Sequence, residues 1–172
     1  MKKTIVALLL VLCMATLFAA TTKTQTIVLV SVVEETKPCF SLDVAYVKNG
    51  YAFNSSDEVS IHSCNVKEDV QVKLNVWQDF SSYKGKMGIS ISVSELSCGS
   101  FSTSGLSLSG NVTLQSGGCA FVNFGNIEFS LNYDGRPIGE EVVAEVYVNY
   151  NGNPLLPEGE YVSYIRMTYE AE

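Results

Sequence analysis

General-base chemistry in this chain would have to run through His62, its only histidine. Asp57, Glu58 and Ser63 stand close to it in the sequence, enough to imagine a hydrolytic relay of hydroxyl, imidazole and carboxylate. Such a relay needs a nucleophile and base held in one geometry, and no Gly-x-Ser-x-Gly elbow or comparable context surrounds His62. It reads as an incidental histidine. Carboxylates crowd the last third: Asp134, Glu140, Glu141, Glu145, Glu158, Glu160, Glu170 and Glu172. A glycosidase pair could be drawn from them, but Glu140 and Glu141 open a strand and Glu158 and Glu160 flank Gly159 in a turn. Solvated charge ordinarily sits in such places. Asn149, Asn151 and Asn153 echo a calcium loop but lack its aspartates and its closing glutamate. They suit a hairpin loop that uses Asn and Gly for positive φ. Trp77 and Tyr83, with Phe80 between them, could form a sugar platform. Trp77, however, is out of phase with Val70, Val72, Leu74 and Val76 and belongs on the opposite face of their strand, where edge packing explains it. No glycine motif that would cradle a phosphate is present. The expectation is a protein with no catalytic residues, no cofactor and no metal.

The elements that would position any site begin with an export signal. Lys2 and Lys3, the apolar run Thr4–Leu12 and small residues through Ala20 read as a secretory signal peptide over residues 1–20. Leu12 before Cys13 is too bulky for a lipoprotein signal, and no later segment has the roughly 20 apolar residues of a transmembrane helix. The formal charge is −7, and removal of Lys2 and Lys3 leaves nine basic residues against 18 acidic ones, or −9. Nucleic acid and anionic lipid both call for basic patches and are excluded as partners. Cys39, Cys64, Cys98 and Cys119 remain after processing. An even number in an exported chain reads as two disulfides. Sequential pairing, Cys39–Cys64 and Cys98–Cys119, closes the shortest loops. A four-cysteine metal site would want a Cys-x2-Cys knuckle, which is absent.

Period-two alternation runs from Gln25 to the end with no amphipathic helix. Strands are expected at Leu42–Val47, Val70–Val76, Ile89–Val93, Leu106–Leu114, Ile127–Tyr133, Val142–Val148 and Tyr161–Tyr169, with Tyr51–Phe53 pairing back across the turn Lys48-Asn49-Gly50. The Ser- and Gly-rich stretch 97–118 stays inside the domain, because its apolar residues keep the strand period. Short strands at regular spacing with polar turns imply an all-β, immunoglobulin-like antiparallel β-sandwich over residues 35–172. A closed barrel is the alternative. Residues 21–34 form an N-terminal extension whose stretch Ile27–Val33 is apolar on both faces apart from Ser31.

The closing stretch, Pro157-x-Gly159-x-Tyr161-x-Ser163-x-Ile165-x-Met167-x-Tyr169, resembles the last strand of bacterial fimbrial pilin subunits of the spore-coat-protein-U and chaperone–usher type. The front is similar too: a signal peptide, an apolar extension, then Cys39 opening the domain. Two pairs of cysteines instead of one, and Glu170-Ala171-Glu172 after the last tyrosine, depart from that pattern. The resemblance implies an incomplete sandwich that receives the extension of the next subunit by β-strand addition. Either Ile27, Leu29 and Val33 or Val28, Val30 and Val32 would enter the groove, and Tyr161, Ile165, Met167 and Tyr169 would line it. It also implies like subunits and a periplasmic chaperone as partners, and a location in the periplasm or on the bacterial cell surface. The residues alone leave open whether Ile27–Val33 is donated or completes its own sandwich. The latter would make a self-sufficient secreted module that binds a glycan or a protein.

Overall fold

Val70, Val72, Leu74 and Val76 are each at most 2% exposed, and Gln71 among them faces solvent, in a computed structural model of the chain. The structure describes residues 38–171 apart from 56–57, 80–82, 114–120, 124 and 137–138. These residues belong to one unit, Glu35–Glu172. They form β1 (Phe40–Lys48), β2 (Tyr51–Asn54), β3 (Glu58–Ser63), β4 (Val70–Gln78), β5 (Lys84–Val93) and β6 (Ser97–Cys98). The chain continues through β7 (Phe101–Ser102), β8 (Leu106–Val112), β9 (Phe121–Asn123), β10 (Asn126–Asp134), β11 (Glu141–Tyr150) and β12 (Tyr161–Ala171). Among the described residues there is no helix, and none long and apolar enough to cross a membrane.

The expected β-sandwich is what forms. One sheet runs β1-β4-β11-β8 and the other β2-β3-β12-β5-β10-β9, with β6 and β7 appended beside β12, and every pairing is antiparallel. Inward rows follow the alternation. Met167, Ile91 and Ile127 stand opposite one another across three strands, and Ile89 faces Phe129. All five are buried, as is Leu131 opposite Met87. Full burial of each such side chain is worth about 1.5–3 kcal/mol. A slip of one residue would turn a whole row to solvent, so the buried pattern itself selects the register. Trp77 lies on the outward face of β4, as its phase requires, while Tyr83 is buried against Tyr133 with ring centroids 6.0 Å apart. The two aromatics therefore do not share a platform.

Two buried hydroxyls tie the sheets together. Tyr150 on β11 donates to Ser163 Oγ on β12 at 2.7 Å, and Ser163 passes its own proton to the Ser94 carbonyl at 2.7 Å. Tyr133 on β10 donates to Gln78 Oε1 on β4 at 2.6 Å, and Gln78 is 1% exposed. Burial holds both phenols above their ordinary pKa, which keeps them neutral donors.

Two expectations give way. First, Tyr51–Phe53 does not fold back on β1: β2 pairs with β3, in the other sheet. Asn49 adopts a left-handed φ of 58° and its side chain donates to the Asp69 carbonyl at 2.9 Å. A Cβ on Gly50 would come within 2.6 Å of the His62 carbonyl. The turn thus sends the chain across the sandwich, and only glycine fits its close approach to β3. Second, the sequential pairing of the cysteines fails at Cys39–Cys64; Cys119, the expected partner of Cys98, lies outside the described residues. Cys39 sits at the start of β1, where its carbonyl accepts from Asp79 N, whereas Ser63, next to Cys64, donates to the Asn49 carbonyl at 2.7 Å beyond β1's far end. At about 3.3 Å per residue β1 separates the two cysteines by well over about 20 Å, and a disulfide needs Cα atoms within about 7 Å. The pairing Cys39–Cys64 is excluded by the strand between them.

Ser163→Ala should lower the unfolding free energy by about 2–3 kcal/mol, because it leaves both Tyr150 and the Ser94 carbonyl without a partner. Tyr150→Phe should cost about 1 kcal/mol, and the double variant less than the sum; urea titration of the four proteins checks this. Cys39→Ser and Cys64→Ser should act independently, their effects adding in the double variant within about 0.5 kcal/mol. A double variant no less stable than either single one would be the signature of a disulfide between the two.

Candidate functional site

β12 carries all four residues expected to line a groove. Tyr161, Ile165 and Met167 point inward and are buried; Tyr169 continues the same inward row but is 42% exposed. The reason lies in its neighbours. On one flank β5 pairs along β12 from Ile165 to Ala171. On the other, β3 pairs from Tyr161 only as far as Arg166, where Glu58 begins β3. Beyond that point, among the described residues, no strand pairs with the flank of Met167–Ala171. Across the sandwich lies β1, which among the described residues pairs with β4 alone. Its Phe40 ring meets the Tyr169 ring edge-on at 5.0 Å, and its inward Leu42 and Val44 are only partly buried. An open stretch of β12 and the edge strand of the opposite sheet thus share one side of the sandwich. The expected donor residues Ile27, Val28, Leu29, Val30, Val32 and Val33 lie outside the described residues.

The outward face of the same sheet holds a second cluster. The β3–β12 register brings His62 opposite Val162 and Ser60 opposite Tyr164, so Glu160 arrives beside His62. His62 Nδ1 lies 2.9 Å from Glu160 Oε1 and Nε2 lies 3.1 Å from Ser60 Oγ. Tyr51 stacks on the imidazole at 5.2 Å and donates its hydroxyl to the same Glu160 oxygen at 2.5 Å. Phe53 closes the other side, edge-on to His62 at 5.2 Å. The Tyr51 hydroxyl first and His62 second hold the Glu160 carboxyl below its ordinary range, and the carboxylate in turn raises the Tyr51 pKa.

Serine, histidine and glutamate at these distances have the form of a hydrolytic relay. Among the described residues no donor stands ready to supply the electrophilic half. Ser60 pairs with Phe53 on one side and Tyr164 on the other, so it sits inside a sheet whose N–H groups lie in plane and are spent on the ladders. An acyl oxyanion needs donors aimed at it, and Arg166 on this face is held by Glu58. The cluster instead clamps the four-residue edge strand β2 onto β3, a short, side-chain-covered edge of the kind that resists unwanted pairing.

The other sequence candidates disperse. Ser63 points inward toward the Asn49 carbonyl, Glu58 pairs with Arg166, and Asp57 lies outside the described residues. Glu158 faces Lys67 at 3.8 Å and Glu141 takes a long contact of 3.5 Å from Gln78. Asn149 donates to Asn151, while Asn153 Oδ1 accepts from Leu155 N, as a hairpin loop requires. Among the described residues no group of His, Cys, Asp and Glu could hold a metal ion. Sequence reasoning singled out His62 but not Ser60, Tyr51 or Glu160 as its partners. Glu160 is 98 residues away, and no local spacing could have signalled it.

Comparison with known protein families, with characterised proteins and with solved structures finds no match to this chain.

Because the folded Glu160 pKa is depressed, its contribution to stability is fully present above the ordinary carboxyl value of 4.5 and is lost as pH falls through the lower folded value. Between neutral pH and pH about 3, Glu160→Gln should therefore lose less stability than the unaltered protein. Denaturant titrations at a series of pH values would show the two curves converging toward the acid end.

Proposed function

We propose that this chain is an exported structural subunit that docks onto copies of itself by β-strand addition, in the manner of the pilin subunits that its termini resemble. The observation that carries the reading is the flank of Met167–Ala171: among the described residues β5 pairs with one side, β3 begins only at Glu58 on the other, and the inward Tyr169 is still 42% exposed. An added strand there would take main-chain hydrogen bonds from β12 and lay alternate side chains between Tyr169, Phe40, Leu42 and Val44. Main-chain pairing supplies affinity in such additions and side-chain pockets supply register. The segment Thr24–Val33 has the composition for it, with apolar residues on both faces. An open edge of this kind aggregates when unprotected, which makes a periplasmic chaperone the natural companion of the free subunit.

Light scattering on size-exclusion fractions tests the proposal with two forms of the exported protein, one beginning at Thr22 and one at Glu34. The longer form should make oligomers. The shorter should remain monomeric and poorly stable until a peptide spanning Thr24–Val33 restores it. A longer form that is a stable monomer at all concentrations would overturn the reading, because Ile27–Val33 would then complete its own sandwich.

A further inference from the structure

A separate feature occupies the outward face of the four-stranded sheet. Tyr46, Lys73, Tyr147 and Ser109 form one cross-strand row over β1, β4, β11 and β8. Gln71, Asn149 and Ser107 form the next row. Together they line a cleft of about 590 Å³, within the range of ordinary ligand sites. The two rings of the first row are exposed: Tyr46 by 54% and Tyr147 by 41%. They lie two strands apart, about 9.5 Å in the sheet plane.

The electrostatics of the cleft are closed on themselves. Lys73 Nζ is 2.8 Å from Glu145 Oε1 and 5.4 Å from the centre of the Tyr147 ring. The Tyr147 hydroxyl donates to Glu145 Oε2 at 2.7 Å. This triangle pins the Tyr147 ring and cancels the one charge pair, so what the cleft offers a ligand is neutral. Amides come from Gln71 and Asn149, hydroxyls from Ser107 and Ser109, and a flat apolar surface from each tyrosine.

A ligand that fits must be uncharged, rich in hydroxyl groups and possessed of flat C–H faces. An anion meets a chain of net charge −7, and a cation finds Glu145 already taken by Lys73. Aromatic rings pack against apolar faces and leave their polar edges to hydrogen-bond, which is how a pyranose is held. We propose that this cleft binds a neutral oligosaccharide laid across the strands, one sugar on Tyr46 and another on Tyr147, with Gln71 and Asn149 in the neighbouring row and the two serines beyond Tyr147 reading hydroxyls. The site is independent of strand addition, on the other sheet from β12.

Affinity electrophoresis of the exported protein in gels containing laminarin, xylan, mannan, dextran or hydroxyethyl cellulose tests it, with anionic polygalacturonate as a sixth gel. At least one neutral polysaccharide should retard the protein. Tyr46→Ala and Tyr147→Ala should each weaken the retardation about tenfold or more. Tyr147→Phe, which keeps the ring, should retain most of it, and so should Tyr51→Ala on the opposite sheet. Circular dichroism confirms that each variant is folded. The proposal falls if no neutral polysaccharide retards the protein, if only polygalacturonate does, or if folded Tyr46→Ala and Tyr147→Ala migrate as the parent does.

Discussion

The structure depends on how β12 is held between neighbours of unequal reach. β3 pairs with its first half and β5 with its second, and the overlap is confined to Ile165 and Arg166. In the overlap the strand is locked into the middle of the sheet, and Ile165 is fully buried there. Toward its start, Ser163 fastens the strand to Tyr150 of the facing sheet. The β3 register delivers Glu160 to His62 there. Toward its end the strand keeps one neighbour among the described residues, and Tyr169 is 42% exposed. Stability, the histidine cluster and the open flank are three consequences of one arrangement of ladders.

Polar groups divide by depth. The buried hydroxyls of Tyr150, Ser163 and Tyr133 are all partnered, as they must be where an orphaned donor costs about 1–3 kcal/mol. Those on the two outward faces gather around aromatic rings: Glu160 takes Tyr51 and His62, and Glu145 takes Lys73 and Tyr147. Exposed ion pairs contribute little to stability, about 0–1 kcal/mol, so their effect is mainly on shape. One cluster fastens a short edge strand; the other holds a tyrosine beside an uncharged cleft. In each case a surplus carboxylate of an acidic chain is spent on holding an aromatic ring in place.

Much of the sandwich was legible from period-two alternation. β4, β5, β10 and β11 appear where Val70–Val76, Ile89–Val93, Ile127–Tyr133 and Val142–Val148 placed them, and β8 forms at Leu106–Val112 within the Ser- and Gly-rich middle. The outward phase of Trp77 was readable for the same reason. What failed was partner choice. Tyr51–Phe53 looked like the return arm of a hairpin because a turn preceded it, yet Gly50 packs on the His62 carbonyl and the strand joins β3. Short-loop closure favoured Cys39–Cys64, although a whole strand stands between the two.

By itself the sequence determined which residues form strands and which face of each strand is buried, because side-chain alternation is a property of the extended backbone and needs no neighbour. It also determined the acidic charge and the absence of a local catalytic motif. Tertiary structure alone decided which strands lie side by side, and with them the meeting of Ser60, His62 and Glu160, the row of Tyr46, Lys73 and Tyr147, and the end of the β3 ladder at Arg166 of β12. Those are matters of register between distant segments. Register is set by the joint burial of many apolar side chains, a sum that no single stretch of the chain contains.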